Sequence, residues 1–125
     1  MRHILLLASL VLLPVAVTAA PAAETVVTLS NFNFAPSEIA LHAGVPTVLR
    51  LTNSGGGGHS FAAPAFFAAA RLDPSSAPLV HEGKVEIPGH STVSIALTPT
   101  AGRYPLRCSH TLHGAFGMKG VITVS

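Results

Sequence analysis

From residue 25 onward the chain is built of short stretches in which apolar and polar residues alternate, each ended by Gly, Pro, Asn or Ser. Alternation with period two marks a strand with one buried face. It predicts strands over residues 25–30 (TVVTLS), 39–42, 47–52 (TVLRLT), 84–87, 92–97 (TVSIAL), 103–108 and 120–124. Turn signals separate them at residues 44–46, at Pro88-Gly89 and at Ala101-Gly102. One helical candidate, residues 66–72 (FFAAARL), stops at Asp73-Pro74. About seven strands with no βαβ rhythm predict an all-β fold, a Greek-key β-sandwich with one short helical turn. Phe32, Phe34, Phe61, Phe66 and Phe67 are expected to fill its core, because a small sandwich needs large side chains inside.

The first residues break this pattern. Arg2 and His3 precede an apolar run over residues 4–17, and Ala19, Ala20, Ala22 and Ala23 form a small-residue zone. This is the layout of a secretory signal peptide, with cleavage expected between residues 19 and 23. The run contains Pro14 and is short for a bilayer span, so no membrane anchor is expected after cleavage. The expected organisation is a signal peptide over residues 1–22 and a single domain over residues 23–125, in the periplasm or secreted.

Charge narrows the functional classes. Residues 23–125 hold six Lys and Arg against five Asp and Glu, with no charged tail or block. That balance predicts neither nucleic-acid binding nor attachment to an anionic membrane. Asp73 is the sole aspartate, and there is no HExxH, nucleotide loop or Ser-His-Asp order, so no enzymatic mechanism is expected. Cys108 is the only cysteine. In an oxidising compartment it cannot form an internal disulfide, which leaves a buried thiol, a link between chains, or a metal ligand.

The surroundings of Cys108 favour the metal. Cys108, His113 and Met118 have the spacing C-x4-H-x4-M. A thiolate, an imidazole and a thioether on one loop, with a second imidazole from elsewhere, make a blue-copper ligand set. His110 offers a competing imidazole within the same loop. His59 follows the flexible run Gly55-Gly56-Gly57-Gly58 at the end of a predicted strand, where bare backbone can approach closely. His42, His81 and His90 each adjoin a turn signal and read as solvated turn residues.

Two segments carry a resemblance to a known family. His59-Ser60-Phe61 follows a Gly-rich loop; Tyr104 lies on a strand running into Cys108, then His113, Gly117-Met118-Lys119-Gly120 and a final strand. In these features nearly the whole mature chain resembles the small type 1 copper proteins of the cupredoxin superfamily, the plastocyanin, pseudoazurin, amicyanin and azurin group. The resemblance implies His59, Cys108 and His113 as ligands with Met118 axial, and one type 1 copper per chain. It favours His113 over His110, since His113 keeps the His-x4-Met relation of plastocyanin-like loops and precedes the small Gly114-Ala115 pair. Three features depart from the pattern: Ser60 stands where several of these families carry Asn, His110 is additional, and the ligand-loop spacings are a mixture. Arg107 and Ser109 flank Cys108 where multicopper oxidases carry histidines.

The implied function is one-electron transfer by Cu(II)/Cu(I) cycling through the exposed edge of His113. Expected partners are redox proteins docking briefly on an apolar rim around His113 formed by Leu112, Phe116 and Gly55 to Gly58, with the carrier itself a monomer. A copper chaperone or buffer on the same fold is the alternative, and a zinc or red-copper site that recruits His110 is a second.

Overall fold

The computed structural model describes residues 9–15, 22–110 and 117–125. Much of the expected signal peptide, together with His113, Leu112 and Phe116, lies outside the described residues. Among the described residues no helix is long and apolar enough to cross a membrane.

Among the described residues ten strands form two sheets. They are β1 (Ala23–Ser30), β2 (Asn33–Ala35), β3 (Glu38–Leu41), β4 (Thr47–Asn53), β5 (His59–Ala62), β6 (Arg71–Leu72), β7 (Lys84–Ile87), β8 (Thr92–Thr98), β9 (Gly102–Arg107) and β10 (Lys119–Val124). One sheet has the order β2-β1-β4-β8-β6 and the other β3-β10-β9-β5-β7. Most neighbours are antiparallel, but β1 runs parallel to β4 and β10 parallel to β3. The expected β-sandwich is therefore present.

Alternation does the work that the sequence predicts. In β4 the inward Leu49 and Leu51 are fully buried, while Arg50 between them reaches solvent and pairs with Glu24 at 3.3 Å. Val27, Leu29, Ile95 and Leu97 extend that inner face. Opposite them stand Ile39, Phe61, Val85, Ile87, Leu106 and Ile122, all buried. Each such side chain contributes about 2 kcal/mol of hydrophobic stabilisation. Phe61 anchors an aromatic chain through the interior, with edge contacts to Phe34 and Phe67, both at 6.0 Å between centroids. Phe66 continues it to Tyr104 at 5.6 Å.

Three details differ from expectation. The helix, α1, spans Pro64–Ala69 and ends before Arg71–Leu72, which pairs with β8 as a short edge strand. Pro64 opens the helix because its missing N–H needs no partner in the first turn. Strands β2 and β5 carried no recognised signal; all four residues of β5 are buried, so its sequence cannot alternate. Phe32 is not a core residue: it sits in the β1–β2 turn with φ 56°, 43% exposed.

The sheet registers collect the chemistry at one end of the sandwich. Thr52 pairs with Thr92 and His59 with Ile87, so the loops over residues 54–58 and 88–91 adjoin. Cys108 leaves β9 beside Ser60 of β5, bringing the C-terminal loop to the same end.

Candidate metal centre

The Gly-rich loop is folded around one buried amide. Asn53, 1% exposed, donates from Nδ2 to the carbonyls of Gly57 at 2.8 Å and Ile87 at 3.1 Å. Its Oδ1 accepts the N–H of Gly55 at 3.0 Å. From the other side the N–H of His90 donates to the Gly55 carbonyl at 2.9 Å. Gly89 makes this approach possible, because a β-carbon there would lie 2.1 Å from the Gly56 carbonyl oxygen. Four successive glycines are thus held as a defined turn, and His59 follows as the first residue of β5.

His59 is buried, 5% exposed. A β-carbon built on Gly55 would stand 3.9 Å from its Nε2, so the loop backbone closes over that edge of the ring. The adjacent Ser60 makes the connection to Cys108, 48 residues away. Its main-chain N–H donates to Cys108 Sγ at 3.4 Å, and its hydroxyl lies 3.8 Å from the same sulfur. That hydroxyl also accepts the N–H of Ser109 at 2.7 Å and shares a 2.7 Å hydrogen bond with the Ser109 hydroxyl. Ser60 therefore ties the first-histidine strand to the cysteine loop despite its shorter reach than asparagine.

The C-terminal loop is closed at its base. The N–H of Cys108 donates to the Met118 carbonyl at 3.1 Å, which brings the two sulfur residues together at the mouth of the loop. Cys108 is 1% exposed and Met118 fully buried. Gly117, with φ 86°, turns the chain into β10 in a conformation that glycine adopts without strain. His110 lies near the surface, 2.8 Å from Glu86 of β7, and its Cε1 would meet a β-carbon on Gly58 at 3.4 Å. His42, His81 and His90 are exposed beside turns.

Of the four residues expected as ligands, the structure brings His59, Cys108 and Met118 to one end of the sandwich, while His113 lies outside the described residues. The donor chemistry fits copper: a buried sulfur that accepts a main-chain N–H, a buried imidazole, and a buried thioether suited only to a weak contact. Asn53 is the functional residue that sequence reasoning passed over. Its only signal was a position between a strand and a glycine run, which also describes an ordinary turn.

The sequence model of the cupredoxin-like domain matches residues 3–124, nearly the whole chain. The chain belongs to the cupredoxin-like family. Among solved structures, this cupredoxin is similar to auracyanin B, with 20% identity and a TM-score of 0.61, covering 87% of this chain and 93% of that one. It is similar also to dithionite-reduced auracyanin from Roseiflexus castenholzii, with 17% identity and a TM-score of 0.61, over 85% of this chain and 99% of that one. The multicopper oxidase McoA from Aquifex aeolicus matches with 15% identity and a TM-score of 0.63; 89% of this cupredoxin is covered but only 31% of the oxidase. At such identities the likeness is one of fold. No curated protein matches the chain.

Proposed function

We propose that this cupredoxin is a copper electron carrier, secreted or periplasmic after loss of residues 1–22, with His59, Cys108, His113 and Met118 holding one type 1 copper. Bound there, copper supplies a one-electron couple between Cu(II) and Cu(I). The contact from Ser60 N–H to Cys108 Sγ is the observation that carries the reading. A main-chain donor aimed at a buried sulfur stabilises negative charge on it, as a thiolate ligand requires.

The remaining residues keep the site fixed. Asn53 and Ser60 lock two loops to each other and to β7, so the donors are set by the sandwich and need little rearrangement when charge changes. The proposed exchange route is the edge of His113, with a redox partner resting on the apolar rim of Leu112 and Phe116. Arg107 and Ser109 beside Cys108 cannot bridge to a second metal cluster, which supports a carrier over an oxidase.

The test is to add Cu(II) to the purified metal-free protein and record a visible spectrum. An intense thiolate-to-copper band with narrow copper hyperfine splitting is expected, and Cys108→Ser should abolish it. Colour retained in that variant overturns the thiolate assignment. Weak colour in the native protein, with ready loss of Cu(I) to an acceptor, would favour the chaperone or buffer instead.

A further inference from the structure

The near-neutral balance of the domain hides an uneven distribution. Residues 23–125 contain six Lys and Arg, and four of them, Lys84, Arg103, Arg107 and Lys119, project from the outer face of the β3-β10-β9-β5-β7 sheet. Three form a single row across the strands: Lys119 pairs with Arg107, Arg107 with Ala62, and Ala62 with Lys84. Arg103 lies on the same face of β9, opposite Thr123. Three strand intervals make the row about 14 Å long, and four residues along β9 add about 13 Å in the other direction. Between the charges stand Pro105 and the half-buried Val121.

This arrangement is not what stability alone selects. Lys119 and Arg107 are like charges directly opposite across an antiparallel pair, which costs stability. None of the four basic residues has a carboxylate within salt-bridge distance among the described residues. The carboxylates sharing the face stand at its two edges, Glu38 on β3 and Glu86 on β7, and Glu86 is engaged by His110. The other acidic residues lie elsewhere: Glu24 pairs with Arg50 on the opposite sheet, Asp73 holds Ser75 beyond β6, and Glu82 sits in the turn before β7.

We propose that this face is a second docking surface, for a partner protein presenting a compact cluster of carboxylates. Two guanidinium groups suit bidentate pairing with carboxylates, and a sheet face with apolar residues between its charges suits a protein surface. The acidic borders at Glu38 and Glu86 repel an extended anionic plane but leave a bounded target for a cluster, which favours a protein over a lipid surface. Arg107 and Lys119 are bonded directly to Cys108 and Met118, so a partner seated here abuts the chain that carries the sulfur donors. What the docking serves rests on the carrier reading; the docking itself does not.

The experiment is an amide NMR titration of the full metal-free chain with a hexaglutamate peptide at low salt. Shifts are expected at residues 84, 103, 107 and 119 and to fade as salt rises. Lys84→Gln and Arg103→Gln, both remote from the proposed ligands in sequence, should each weaken binding about threefold, with an unchanged unfolding midpoint as the folding control. Shifts centred on Arg50 and Arg71, or no shifts at all, overturn the proposal. Tighter binding to phosphatidylglycerol vesicles than to the peptide at equal ionic strength also overturns it, in favour of a membrane. A protein that binds the peptide but gives no blue colour with copper fails the carrier reading alone.

Discussion

Replacing Asn53 by alanine removes three hydrogen bonds from the loop that presents His59. The bond to the Ile87 carbonyl is buried, so that oxygen is left without its partner, at a cost of about 1–3 kcal/mol. The Gly57 carbonyl and Gly55 N–H are partly accessible and can turn to water, so each loses nearer to 0.5–1 kcal/mol. The sum is about 3 kcal/mol, which for a domain of this size lowers Tm by roughly 15 °C. Ser54→Ala is the matched control, since its hydroxyl makes only a 3.4 Å contact to the Leu29 carbonyl and its loss should cost less than about 1 kcal/mol. Urea unfolding of the metal-free forms measures both. Copper titration then reads the second consequence, a weaker affinity for Asn53→Ala with the colour retained, because the loop loses order while the donors remain. A loss below about 1 kcal/mol, or an effect matched by Ser54→Ala, would refute the view that one amide organises the glycine turn.

Two further substitutions probe the same end of the sandwich. Gly89→Ala drives a β-carbon into the Gly56 carbonyl and should destabilise by about 1–3 kcal/mol, visible as a lower urea midpoint; an unchanged midpoint would mean that the two turns do not touch in solution. Ser60→Ala deprives the Ser109 N–H of its acceptor and should cost about 1–3 kcal/mol, yet leave the visible band in place because the main-chain donor to Cys108 survives. A bleached Ser60→Ala protein would show that the hydroxyl, and not the amide, supports the sulfur.

The strands that read clearly were those with one wet face. In β4 and β8 inward and outward residues alternate, with Leu49, Leu51, Ile95 and Leu97 buried, and both appear within about one residue of expectation. Strand β5 escaped because it is covered on both sides, so His59-Ser60-Phe61-Ala62 carries no period. The helix starts two residues before its apolar pair Phe66-Phe67, because Pro64 opens it. Phe32 lies at a turn tip outside the core, a difference that apolarity alone does not distinguish. At the site, residue types and spacing along one loop were visible, whereas the cross-links were not. Asn53 meets Ile87 across 34 residues, and Ser60 meets Ser109 across 49. Such pairings depend on which strands become neighbours, a property of the whole fold.

Strand β10 follows every other strand of the domain in sequence, yet it lies inside its sheet, parallel to β3 and antiparallel to β9. A growing polypeptide that still lacks Lys119–Val124 therefore leaves both neighbours with open edges, and open edges invite aggregation. The β3–β10 pairing joins segments far apart in the sequence, and closing so distant a pairing is slow. Deleting Lys119–Val124 should then damage this protein far more than the loss of one short strand suggests.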